Sequence, residues 1–196
     1  MNSEGVIAEV KKIVEKVCTD ENNVFGYGIW THHITQVVRI GKELAKIFKA
    51  DPEIVELSAL LHDYAGIKDH SLHKDHHIHS MTEADRILKN LNYPHEKIEA
   101  VKYCIANHRG SVPGKRNTPE AECLANADAF AHIENISSLY YLAYSKFNMQ
   151  IDEGADWIRK KLQRTWKKIS PEIKYLVEEK YNSAMTLLKI ATNKKF

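Results

Sequence analysis

The chain has 196 residues, 43% of them apolar and 28% charged, and a formal net charge of +2. That balance fits one folded domain spanning 1–196, excludes a disordered chain, and provides no global field toward nucleic acid or anionic lipid. No apolar run reaches the roughly 18 residues of a membrane span, and no basic leader precedes an apolar segment, so a cytoplasmic protein without a membrane partner is expected.

Cys18, Cys104 and Cys123 are widely spaced beside apolar neighbours and read as reduced core thiols. Histidine is the skewed count, at 11. His70, His73, His76, His77 and His79 fall within one short stretch, which suits a solvated loop, a metal locus, or both.

Residues 3–19 carry Val6, Ile7, Val10, Ile13, Val14 and Val17 at the spacing of an amphipathic helix. After Gly26-Tyr27-Gly28, Thr31 can cap a helix running to about Lys49, on which His33, Val37, Ile40, Leu44 and Ile47 share a face. His33 is thus in line with core residues, as a satisfied core histidine or a ligand would be. Asp51-Pro52 starts the next helix, which ends at Leu60-Leu61-His62-Asp63, with Gly66 placed to stop it. Residues 66–78 read as a polar loop, and Ser80 to Glu83 has the form of a capping box opening the following helix.

Pro94 opens a helix whose apolar face leads through Ile98, Val101 and Ile105 to His108. Thr118-Pro119-Glu120 opens another, with Asp128 in register between Leu124 and Ala131. An ionised carboxylate on an apolar stripe needs a cation, a donor network or water. Helices over Ile136–Phe147 and Asp152–Ile169 follow, Ser170-Pro171 caps a last one, and Asn193 to Phe196 reads as a frayed tail. With no alternating run that would force a strand, the expected fold is all-α, a bundle of about seven to nine helices.

In chain order these residues read His33, His62-Asp63, Asp128. The pattern H…HD…D resembles the HD superfamily of metal-dependent phosphohydrolases. Thr31 to Val38 is similar to the family's first-histidine helix, Leu60-Leu61-His62-Asp63 to its LLHD signature, and Ala125 to Phe130 to the segment bearing the last aspartate. The resemblance covers about 30–135 and implies that His33, His62, Asp63 and Asp128 hold a divalent metal. A subset of the family adds two histidines for a second ion. His79, with Ala84 five residues on, and His108 resemble those additions, although Glu83 stands where glycine is usual.

Imidazole and carboxylate donors without thiolate suit Mn, Fe, Co, Ni or Zn. The implied activity is hydrolysis of a phosphate ester or anhydride by metal-activated water, with His62 and Asp63 at the reacting centre. Lys68 and Arg109 are expected to meet the phosphoryl charge, with Lys115 and Arg116 as second choices. The expected partner is a small phosphorylated substrate, first of all a nucleotide, with no stable nucleic-acid partner, and a homodimer is left open. Two alternatives share the motif: a non-catalytic metal- or nucleotide-binding HD module, and a di-iron HD-type oxygenase.

Overall fold

A computed structural model describes residues 2–109 and 116–192. These form ten α-helices and no strand: α1 (Ser3–Cys18), α2 (Thr35–Phe48), α3 (Pro52–Leu61), α4 (Tyr64–Lys68), α5 (His76–Asn90), α6 (His95–Asn107), α7 (Pro119–Glu134), α8 (Ile136–Tyr140), α9 (Ile151–Lys168) and α10 (Glu178–Thr192). Short π-helical segments precede α2 (Trp30–Ile34) and follow α8 (Tyr141–Lys146), and 3-10 segments span His70–Asp75 and Pro171–Leu176. Eight of the α-helices are long, and α4 and α8 are five-residue turns.

Helix α3 is the centre of the packing, touching α1, α2, α6 and α7. Its start is set by Asp51, whose carboxylate accepts from the backbone nitrogens of Glu53 and Ile54, with Pro52 in the first turn. From Ile54 to Leu61 every residue is buried, as a helix covered on all sides must be. Glu56 is among them because Lys11 and Lys42 reach its two oxygens at 2.7 and 2.9 Å. Gly41 lets α2 approach closely, since a Cβ there would lie 2.9 Å from Val55 Cγ1. Truncating a fully buried leucine here, such as Leu57 or Leu60, costs about 2–5 kcal/mol.

Apolar residues from α1 through α10 join in one core. The three cysteines are buried and free, and burial pushes each thiol up to about 12. No helix among the described residues is long and apolar enough to cross a membrane.

Several local expectations are revised. The α2 region turns helical before Thr31, whose hydroxyl instead meets His32 Nδ1 at 2.7 Å. Gly66 does not end a helix; it lies in α4, where an added Cβ would crowd His76 Cβ at 3.2 Å. Residues 66–78 are mostly helical, because Asp69 accepts from Ser71 N and starts the 3-10 segment. Ser80 is no cap: α5 begins at His76, and the buried Ser80 hydroxyl accepts from Ala65 N at 3.1 Å. The segment after Ser170 is first 3-10 and becomes α-helical only at Glu178. Lys115 and the tail from Asn193 lie outside the described residues.

Candidate metal centre

The π-helical segment before α2, the C-terminus of α3 and the middle of α7 meet at four side chains. His33 Nε2 is 3.3 Å from Asp63 Oδ2 and 3.5 Å from Asp128 Oδ1. His62 Nε2 is 3.3 and 4.0 Å from the same two oxygens. A π-helical turn often marks a functional position, and here it carries the buried His33. Predicted residues spread over 96 positions are therefore brought into one cluster.

The donors converge without satisfying one another. His33 Nε2 and His62 Nε2 are buried and have no hydrogen-bond partner. Two ligands of one transition-metal ion, each about 2.1 Å from it, stand roughly 3.0–3.4 Å apart. The observed spacings therefore suit a shared cation. Asp63, His33 and His62 form one set whose donor atoms all lie within 4.8 Å, and His33, Asp128 and His132 form another.

A third set is Asp63, His76 and His108. His76 Nε2 lies 3.1 Å from Asp63 Oδ1, and His108 Nε2 lies 4.0 Å from that same oxygen. Asp63 thus faces His33 and His62 with one oxygen, and His76 and His108 with the other. His62, His76 and His108 each donate Nδ1–H to a carbonyl three residues upstream, at Ala59, His73 and Ile105. That bond leaves the Nε2 of the neutral ring as a lone pair, the orientation a metal-binding histidine needs.

His79 does not join this set. It is exposed, because His76, His77, Ser80, Ala84, Ile87 and Leu88 form the buried face of α5 and His79 falls off it. His76 occupies the place that the sequence suggested for His79, since α5 starts earlier than the capping-box pattern implied.

The cations also differ from expectation. Lys68 turns to Glu83 at 3.4 Å and stays half-exposed. Arg116 pairs with Glu122 at 3.6 Å and donates to the Lys168 carbonyl. Arg109 does line the cavity above the cluster, donating to the Lys74 carbonyl and lying 3.3 Å from His77 Nδ1. Three groups missed in the sequence complete the wall. His132 sits one turn after Asp128, 3.3 Å from its Oδ1, and stacks on His33 with centroids 4.7 Å apart. The i, i+4 spacing on α7 was a readable signal for it. Lys168 pairs with Asp128 Oδ2, and Lys161 lies nearby on α9; no local pattern ties either to the motif.

Burial opposes ionisation of both aspartates, yet both lie well below the usual carboxylate range. For Asp63 the charges of His62 and His76 outweigh burial, and for Asp128 those of Lys168 and His132 do. Burial also opposes charge on His62, but Asp63 and then Asp128 raise its value. The cluster draws positive charge to itself. Burial, next His62, holds His108 neutral, and burial, next Lys161, does the same for His132.

The cavity over this cluster has a volume of about 650 Å³. Its lining includes the His/Asp cluster, the α9 cations Lys161, Arg164 and Lys168, and the apolar side chains Phe25, Leu142, Phe147 and Trp157.

An all-α bundle that gathers imidazoles and carboxylates from three buried helical segments has the arrangement of an H…HD…D helical domain, with donor sets that could hold a metal ion. The model of the HD domain matches residues 30–133, and the chain belongs to that family, whose members typically are metal-dependent phosphohydrolases. No curated protein matches the chain. Among solved structures, Lin1889 from Listeria innocua is 19% identical, with 99% of this chain and 97% of that one covered and a TM-score of 0.72. YpgQ from Bacillus subtilis is also 19% identical, covering 97% and 95%, at 0.73. YpgQ in complex with ADP is 17% identical, covering 94% of each chain, at 0.68. At these identities the likeness establishes the shared fold.

Proposed function

We propose that this chain is a divalent-metal-dependent phosphohydrolase acting on a nucleotide or similar small phosphorylated metabolite. The observation that carries it is the pair of buried, partnerless nitrogens, His33 Nε2 and His62 Nε2, aimed at two carboxylates held ionised. In this reading His33, His62, Asp63 and Asp128 hold one ion. Asp63, His76 and His108 would hold a second. His62 and Asp63 thereby stand at the reacting centre.

Bound metal supplies a Lewis acid and a water of lowered pKa. The chain's own groups position it and the substrate. Nδ1 bonds from His62, His76 and His108 lock their rings, Lys168 orients Asp128, and Arg109 offers charge-assisted donors to a phosphoryl oxygen. His132, which burial holds neutral, stands 3.3 Å from Asp128 Oδ1 at the cavity wall. The apolar part of the cavity lining suits a nucleoside, and the ADP bound by YpgQ supports a nucleotide. The shared apolar core supports residues 1–196 acting as one domain.

Two-ion geometry is equally what a di-iron oxygenase needs, but the cationic wall favours an anionic substrate. The test combines elemental mass spectrometry of extensively dialysed, untagged protein with phosphate-release assays on nucleotides in Mn²⁺, Co²⁺ and Ni²⁺. His62→Ala and Asp63→Ala are expected to abolish metal retention and hydrolysis while helix content by circular dichroism is kept. Full activity in either variant overturns the reading, and metal binding without turnover on any phosphorylated compound favours the non-catalytic module.

A further inference from the structure

Helix α9 turns toward the cavity a row of three cations, Lys161, Arg164 and Lys168, at intervals of three and four residues. Such spacing puts helical side chains side by side, where like charges repel. On the same helix Arg159 and Lys160 both reach Asp156 at 2.6 Å. Lys168 has Asp128. Lys161 and Arg164 have no hydrogen-bond or ion-pair partner among the described residues.

Lys161 is partly buried, and burial pulls its ammonium below the ordinary lysine value. A partly desolvated ammonium without a counter-ion is unfavourable, and a bound anion relieves it. The described lining holds four permanent cations, Arg109, Lys161, Arg164 and Lys168, against two carboxylates, Asp63 and Asp128. Divalent ions on those carboxylates enlarge the imbalance. A single phosphoryl group would neutralise only part of that excess of positive charge.

We propose that Lys161 and Arg164 bind a second phosphoryl group of the substrate, so that the site selects phosphoanhydrides such as nucleoside di- and triphosphates over monoesters. This rests on the phosphohydrolase reading above and adds the substrate class. Water adds across the P–O–P bridge: one P–O bond forms, and the bridging bond breaks with its electron pair going to the departing phosphate. The proton released by water passes to that phosphate or to solvent. A base can rest against Phe147 and Trp157, which line the cavity and meet edge to face at 5.7 Å.

Calorimetric titration of Mn²⁺-loaded protein with inorganic phosphate and with imidodiphosphate, a non-hydrolysed pyrophosphate analogue, tests this on wild type, Lys161→Met and Lys161→Arg. Wild type is expected to favour imidodiphosphate at least tenfold. Lys161→Met should lose most of that preference, with phosphate affinity and manganese content held within twofold, and Lys161→Arg should restore it. Because the methionine variant sheds an unpaired charge, its melting temperature should equal or exceed that of wild type, which separates lost recognition from lost fold. Equal losses for both probes, or none, overturn the assignment. Wild type that binds manganese and phosphate without preferring imidodiphosphate also overturns it and leaves the phosphohydrolase standing. Wild type that binds neither overturns both.

Discussion

His76 Nε2 and His108 Nε2 face each other at 3.2 Å, although both rings have already given their Nδ1 hydrogens to backbone carbonyls. The two rings so bonded aim Nε2 at one another beside Asp63 Oδ1, the arrangement in which a shared cation would be held by both. His76→Ala is therefore expected to lower retained metal by about one equivalent, measured by elemental mass spectrometry after dialysis. His79→Ala, removing an exposed ring, should leave it unchanged. Equal loss in both variants would return the second ion to the solvated histidines.

Arg109 and Lys68 should separate cleanly in steady-state kinetics. Charge-assisted hydrogen bonds are worth about 1.5–3 kcal/mol, so Arg109→Ala should lower kcat/KM for a phosphorylated substrate roughly 10- to 100-fold with metal content intact. Lys68 is engaged with Glu83 at the surface, and Lys68→Ala should stay within about twofold. A large effect at Lys68 would mean that the Glu83 pair opens during turnover.

Metal-free protein should lose stability as pH falls below the usual histidine value near 6.5. His108 and His132 are held neutral in the fold, with values well below that of an exposed histidine. The unfolded chain then binds protons that the folded chain does not, and stability rises with pH through this window. His62 has the opposite sign: its raised value adds stability below about 6.5 that is lost on going alkaline. The unfolding free energy measured in urea from pH 7.5 to 5 should fall less steeply in His132→Gln, by up to about 1.4 kcal/mol per pH unit. An unchanged slope would show that His132 is protonated in the fold.

Gly41→Ala tests the approach of α2 to α3. The added Cβ would meet Val55 Cγ1 at 2.9 Å, and β-branched Val55 has little freedom to move. Better helix propensity offsets less than 1 kcal/mol of this, so a net loss of about 1–2 kcal/mol in urea unfolding is expected. A gain in stability would mean that the two helices can slide apart without cost.

Much of the centre was legible because it is written in adjacent residues or a single helical period. His62 and Asp63 are neighbours, His33 shares a face with Val37 and Ile40, and Asp128 interrupts an apolar stripe. His132 was also within reach of that logic, four residues beyond Asp128. The choice of His76 over His79 was not, because it depends on where a 3-10 segment hands over to α5. The Ser80 to Glu83 pattern pointed to a start five residues late, since the Ser80 hydroxyl is used by Ala65 rather than by its own helix.

By itself the sequence pointed to an all-α chain, to the HD family, and to His33, His62, Asp63, His108 and Asp128 among the residues gathered at the site. Local rules suffice there: helical periodicity, proline and carboxylate caps, and a short motif act over a few residues. Tertiary structure alone decided the partners drawn from afar. Lys161 and Lys168 stand more than 30 residues beyond Asp128, and only the packing of α9 on α7 brings them to the cavity. Which cations face the anion and which face solvent depends on that packing, because lysine and arginine look alike in a sequence whether they pair, solvate or wait in a cavity.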